Sequence, residues 1–327
     1  MADESYYSQS ETTRAGHDGF VDFGCKLSEA HKTGLGSSAA LVTSLTAALV
    51  AWYMHDVDQH LPQHRIHNLA QAAHCAAQGK VGSGFDVAAA VFGACLYRRF
   101  TPVILEAVGD PSSDGFIERL RLCVDDLDLN QRWDVEISSH AVQIPHHLLL
   151  LMCDVDCGSE TPSMVRKILA WRKEKPTEAD MLWNAIQQGS NDLCQNLTQL
   201  AQLEGIDQKG LQELADTLST IRSLVREMSA KSSVPVEPTV ITELLDYCTS
   251  IPGVVGGVAP GAGGYDAVAL LVQNDGKVVK ELEARLDTWQ AREEGTGVTI
   301  GRVKLLKARQ AYEGVRYEDV TRYAGWS

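Results

Sequence analysis

The sequence predicts an α+β fold. Strand-like and helix-like stretches mix without a regular βαβ period, and no internal repeat is visible. The same pattern disfavours a doubly wound parallel sheet. The 327 residues suffice for two domains of ordinary size. Apolar residues make up 44% and charged residues 22%, an ordinary globular composition that can bury a proper core.

Taken in order, the opening "MADESYYSQSETTRAGHDGF" is polar and irregular and reads as a mobile entry segment. Val21 to Leu27 is expected as a short strand feeding a glycine turn, and Ser37 to Tyr53 as a helix. A second helix is expected from Pro62 to Gln78, with proline suited to its first turn. "GKVGSGFDVAAAVFGA" gives a glycine-rich turn that puts Asp86 at or near a helix start. "WDVEISSH" alternates as a strand does, and "HHLLLLMCDVD" reads as a buried strand ending at Asp154 or Asp156. From Thr161 to about Met228 the pattern is mostly helical; the two prolines of "SSVPVEP" break it, and "PTVITELLDYC" is one more helix. "GVVGGVAPGAGGYDAVALLV" reads as strand, glycine turn and strand, and "DGKVVKELEARLDTWQ" as a helix.

The net charge of −14 is spread along the chain, which argues against nucleic acid or an anionic membrane as the main partner. A phosphorylated small molecule is not excluded, because phosphate sites use local backbone donors and a few cations. Eight cysteines occur without a CxxC pair, which favours free thiols in a reducing, cytoplasmic setting over a zinc site. "LVTSLTAALVAWYM" is too short for a membrane span.

Four segments can carry chemistry. In "GLGSSAA" (Gly34 to Ala40), glycines allow close backbone approach to an anion, and the N–H groups of the following helix start are unpaired. Ser37 and Ser38 can add hydroxyl contacts to phosphate or Mg2+; a serine-capped helix packed on a strand is the alternative. No GK[ST] closes the segment, so it is not a Walker A loop. In "GKVGSGFD", Asp86 suits the group that receives a substrate proton in phosphoryl transfer, or equally a helix N-cap. "PGAGGYD" (Pro260 to Asp266) is too compact for a dinucleotide fingerprint and is followed by a strand, so a hairpin loop or a phosphate-site loop are its readings. With no strand–GxGxxG–helix elsewhere, a dinucleotide-dependent oxidoreductase is disfavoured. In "DVDCGSETPSMVRKILAWRK", Ser159, Thr161 and Ser163 precede Arg166 and Lys167, a second anion site or a capped amphipathic helix. His64, His67 and His74 lack the glutamate of a metal motif and read as surface or packing residues. Three separate glycine turns carrying hydroxyls or aspartate together favour a polyphosphate site.

"GLGSSAA" and, much later, "PGAGGYD" resemble the second and third motifs of the GHMP small-molecule kinases. "EAHKTGLGSSAALVTSLTAAL", "AQAAHCAAQGKVGSGFDVAAAVFG", "PGVVGGVAPGAGGYDAVALLV", "YYSQ" and "DVDCGSETPSMV" extend the similarity over nearly the whole chain, towards fungal members that act on 5-phosphomevalonate. The resemblance implies the GHMP kinase fold: a ribosomal-protein-S5-like ATP-binding domain over 1–145 and a ferredoxin-like α/β domain over 146–327. It implies Mg2+-dependent transfer from ATP to 5-phosphomevalonate, giving 5-diphosphomevalonate for isoprenoid and sterol synthesis. Lys32, Gly34, Leu35, Gly36, Ser37, Ser38 and Ala39 would hold the nucleotide, with Ser37 or Ser38 near Mg2+. Asp86 would be the catalytic aspartate, and Ser83, Ser159, Thr161, Ser163, Gly261, Gly263 and Gly264 would meet the substrate. Two departures accompany it. Ala30 stands where many members have proline, and the chain begins close to "YYSQ", after the region where members carry a lysine-bearing first motif. An incomplete first domain with an exposed apolar face is therefore expected, and a catalytically impaired nucleotide-binding short form is the alternative reading. Oligomeric state is left open.

Overall fold

The computed structural model describes residues 36–54, 61–139, 141–155, 161–205, 207–292, 299–306, 311–318 and 321. The predicted strand over Val21 to Leu27 lies outside them. Contacts divide the chain into two compact units, Met1–Ala141 with Ala311–Ser327, and Val142–Gln310.

In the first unit, α1 (Ser37–Tyr53), α2 (Gln63–Gln78) and α3 (Phe85–Phe92) pack around a small core. Ala39, Ala70 and Ala88 are all fully buried in it, beside Ile66, Val87 and Val91. Alanines at these crossing points let the helix backbones approach closely. The second helix stops at Gly79, whose left-handed φ of 64° lets Lys80 N–H reach back to the carbonyl of Cys75. Helix α1 buries Ala39, Thr43, Ala47 and Val50 and leaves Leu41, Leu45, Leu49 and Trp52 exposed on other faces.

Strand β1 (Cys95–Arg98) pairs antiparallel with β2 (Glu136–Ser139), and α4 (Val103–Glu106) and α5 (Phe116–Val124) lie between them in sequence. The C-terminal segment closes the unit. Ala94 N–H donates to Ala311 O at 2.8 Å, and Val315 N–H to Val91 O at 3.2 Å. Gly93 packs on the Tyr312 backbone and Gly314 on that of Val91, so neither position has room for a side chain.

The second unit is built on a four-stranded antiparallel sheet with order β4–β5–β3–β8: β3 is Leu148–Val155, β4 Val254–Val258, β5 Ala267–Gln273 and β8 Val303–Leu306. Helices α6 (Thr161–Glu174), α7 (Pro176–Ala201), α8 (Gln208–Ser232), α9 (Thr239–Thr249) and α10 (Gly276–Thr288) accompany it, with a small ribbon of β6 (Ala291–Arg292) and β7 (Thr299–Ile300). Side chains alternate along β5. Val268, Leu270 and Val272 join the core with Ile241, Leu244 and Leu245 of α9 and Leu282 and Leu286 of α10. Leu271 joins Leu197 and Leu200 of α7 and Leu211, Leu214 and Leu218 of α8. With helices on both faces, the central strands carry the continuous apolar runs "LLLLMC" and "AVALLV" rather than a polar–apolar alternation. No helix among the described residues is long and apolar enough to cross a membrane.

Candidate functional site

Helices α1 and α3 begin alike. Each is preceded by a glycine in the left-handed region, Gly36 at φ 78° and Gly84 at φ 82°, and neither has a side-chain cap. A left-handed conformation costs an L-residue about 1–2 kcal/mol, which glycine avoids. The serine-capped and aspartate-capped alternatives are thereby corrected: Ser37, Ser38 and Asp86 lie inside their helices, and glycines occupy the caps. The Asp86 carboxylate instead accepts from the neighbouring Val87 N–H at 3.0 Å.

The two helix mouths converge. A Cβ placed on Gly36 would lie 3.2 Å from Cβ of Asp86, so the half-buried aspartate sits directly beside the entry to α1. Ser37 and Ser38 are exposed there. Ala39 is fully buried, so its side chain belongs to the core and only its backbone N–H is available to a ligand. The first N–H groups of an α-helix have no intrahelical partner, and its N-terminus carries about half a positive charge. This mouth therefore combines free amide donors, two hydroxyls and one carboxylate. Lys32, Gly34 and Leu35 lie outside the described residues.

The turn preceding Asp86 is held from behind. Tyr97 O–H donates to Ser83 O at 2.8 Å, and Arg99 donates to Val81 O and Gly82 O at 3.1 and 2.9 Å. Burial pushes the Tyr97 phenol above its ordinary value, so it remains a donor. A Cβ on Gly84 would lie 2.5 Å from Gln71 Oε1 and 2.7 Å from the Tyr97 hydroxyl, so at this left-handed φ any side chain would be strained and would push both groups aside. Ser83 itself is exposed at this turn.

Ser38 Oγ lies 3.1 Å from Nε2 of His74, which is 5% exposed, and Gln78 Nε2 lies 3.0 Å from the same ring nitrogen. Reading His74 as a mere packing residue missed this contact. The available signal was spacing: His67, Gln71, His74 and Gln78 recur at helical intervals, and the first three are buried polar residues in α2. His67 does pack, with its ring near Phe92 and Trp133. His64 lies against Phe92.

In the second unit, Gly261, Gly263 and Gly264 form the turn between β4 and β5, all with positive φ. Gly263 packs on the carbonyl of Val236, and Gly264 N–H donates to that oxygen at 2.8 Å. The segment beneath is pinned in turn. Val236 and Glu237 N–H donate to Ser229 Oγ, and the Glu237 carboxylate accepts from Arg222, Arg226 and Thr242. The Glu237 side chain is 1% exposed, and Arg222 also bonds Asp246 at 2.8 Å. The sequence reading took "SSVPVEP" for a plain loop; arginines four residues apart on α8, Arg222 and Arg226, were the signal for its buried carboxylate partner. Thr161 opens α6, Ser163 is half-buried in its first turn, and Arg166 and Lys167 are exposed, while Ser159 lies outside the described residues.

Among the described residues no group of three or more His, Cys, Asp or Glu side chains could hold a metal by itself. Two hydroxyls and one carboxylate at a helix N-terminus nevertheless fit Mg2+, which is commonly held by substrate phosphates and water with few protein ligands.

Residues 16–94 match the family model of the GHMP kinases N terminal domain. The phosphomevalonate kinase of Aspergillus fumigatus is 50% identical over 335 aligned positions, covering 100% of this chain and 69% of that protein. The phosphomevalonate kinase of Gibberella zeae is 47% identical over 332, covering 100% of this chain and 70% of the relative. Among solved structures, the Lin0012 protein of Listeria innocua superposes with a TM-score of 0.61 at 20% identity, covering 86% of this chain and 71% of that one; this likeness speaks to the fold.

Proposed function

The chain belongs to the phosphomevalonate kinase family of GHMP kinases, and on that premise we propose that it transfers the terminal phosphoryl group of ATP to 5-phosphomevalonate. The observation that carries the reading is the juxtaposition of Gly36 at the mouth of α1 with Asp86 at the start of α3. A carboxylate beside a helix N-terminus, where anions are favoured, supports this reading.

In this reading the α1 amides and one of the two hydroxyls, Ser37 or Ser38, hold the nucleotide phosphates, with Gly34 and Gly36 allowing close approach. A terminal oxygen of the 5-phosphate attacks the γ-phosphorus, the bond from that phosphorus to the β-bridging oxygen breaks, and ADP leaves. The nucleophile is already anionic at neutral pH, its second pKa being about 6. Asp86 therefore has orientation rather than proton removal as its main task. Ser37 or Ser38 would hold Mg2+, which when bound neutralises charge developing on the transferred phosphoryl group. From the family resemblance we assign Ser83, Ser159, Thr161, Ser163, Gly261, Gly263 and Gly264 to substrate binding.

The thiols of Cys75, Cys95, Cys123, Cys153, Cys194 and Cys248 are free, which supports a reducing, cytoplasmic setting. A coupled ADP-release assay tests the assignment, with 5-phosphomevalonate, mevalonate and galactose as alternative acceptors. Turnover with 5-phosphomevalonate is expected; turnover with mevalonate alone would overturn it.

A further inference from the structure

We propose that His74 is a positioning residue for Ser38: its Nε2 takes the serine's hydroxyl proton inward, so that the oxygen lone pairs face the mouth of α1. The proposal rests on the reading of that mouth as a phosphate and Mg2+ site, and it adds a residue that the site's motifs do not contain.

The geometry fixes the direction of the bond. Gln78 presents its amide nitrogen to His74 Nε2 at 3.0 Å. An amide nitrogen donates and does not accept, so Nε2 is the acceptor and the ring proton sits on Nδ1. The Ser38 hydroxyl, 3.1 Å from the same nitrogen, then also donates to it, so that Gln78 and Ser38 share the single Nε2 lone pair in a three-centre bond. A hydroxyl has one proton and two lone pairs. With the proton committed to His74, what Ser38 offers to solvent is acceptor character, which suits a hard cation and not a phosphate oxygen. Ser37, the other exposed hydroxyl at the mouth, is left as the donor-capable one.

The usual competing task of a first-turn serine is absent here, because α1 has a left-handed glycine at its cap and no side-chain cap. His74 is also well placed to be rigid. It is 5% exposed on α2, with the fully buried Ala70 one turn before it and the fully buried Ala39 next to Ser38. Rigid support of a ligand-bearing group is what an outer-layer hydrogen bond contributes in metal and phosphate sites.

A double-mutant cycle reads the coupling directly, with a fluorescent ADP analogue as the probe, Mg2+ titrated from zero, and the urea midpoint recorded for every variant. His74→Leu is expected to weaken Mg2+-dependent ADP binding about five- to tenfold, the scale of one lost hydrogen bond. His74→Gln puts an acceptor where Nε2 stood and is expected to restore binding to within about twofold. In the Ser38→Ala background His74→Leu is expected to add nothing. Gln78→Leu changes an exposed side chain and serves if His74→Leu does not fold; it is expected to weaken binding about two- to threefold, again only when Ser38 is present. An undiminished effect of His74→Leu or Gln78→Leu without Ser38 would overturn the proposal, as would equal losses in His74→Leu and His74→Gln. A silent His74→Leu beside a damaging Ser38→Ala would also overturn it. If Ser38→Ala itself leaves binding untouched, the reading of the α1 mouth fails first, and the proposal with it.

Discussion

Asp86 and the glycines around it show how much chemistry depends on where a helix starts. A carboxylate used as a cap is committed to the backbone N–H groups of its own helix. Because Gly84 takes the cap, Asp86 is displaced two residues into α3 and stands against Gly36. Asp86→Asn keeps the shape and removes the charge. It is expected to lower kcat by roughly 100-fold or more while ADP affinity changes little, checked by steady-state kinetics beside nucleotide titration. His67 gives a different residue-scale expectation. Burial holds its imidazole below the ordinary 6.5, against the opposing effect of the hydrogen bond its ring N–H donates to Asn68 Oδ1. The unfolded chain then binds the proton more readily, so stability is full above pH 6.5 and falls as pH drops through and below it. His67→Leu should flatten that acid limb in urea unfolding measured from pH 7 to pH 5.

At the scale of elements, the strands and helices were legible because their periodicities are strong. The helix at Ser37–Tyr53, the sequence from strand to glycine turn to strand over β4 and β5, and the helix at Thr239–Thr249 all follow the pattern of apolar residues. "WDVEISSH" shortens to the four residues Glu136–Ser139, since only that stretch finds a partner in β1. Tertiary partners set what periodicity could not. The cap at Gly84 follows from Gln71 and Tyr97 crowding that position, and the support of the β4–β5 turn follows from the Glu237 carboxylate buried against the arginines of α8. Two variants separate these supports. Glu237→Ala leaves Arg222 buried without its main partner and should cost about 3 kcal/mol or more in chemical denaturation. Gly263→Ala forces a side chain onto the Val236 carbonyl and should cost about 2 kcal/mol or more while raising KM for 5-phosphomevalonate, read from urea midpoints and kinetics together.

At the scale of the molecule, the mixed α+β architecture was legible from the irregular order of strands and helices, and the GHMP kinase fold from its two glycine motifs. The grouping of Ala311–Ser327 with the first unit was not, because it depends on two glycines meeting backbone far away in sequence. Gly314 against Val91 and Gly93 against Tyr312 carry no periodic or motif signal. Gly314→Ala is expected to destabilise the first unit by about 2 kcal/mol or more, visible as a lowered unfolding transition, because backbone must move on both sides. The acidic surface implied by a net charge of −14 leaves substrate binding to local donors such as the α1 mouth.

The central claim is that this chain builds a phosphoanhydride on an existing phosphate. Phosphorus-31 NMR of the protein with MgATP and 5-phosphomevalonate tests it most directly. The account predicts loss of the monoester resonance and growth of two coupled diphosphate signals in step with ADP, all slowed roughly 100-fold or more with Asp86→Asn. An unchanged monoester signal while ATP is hydrolysed to ADP and inorganic phosphate would contradict it.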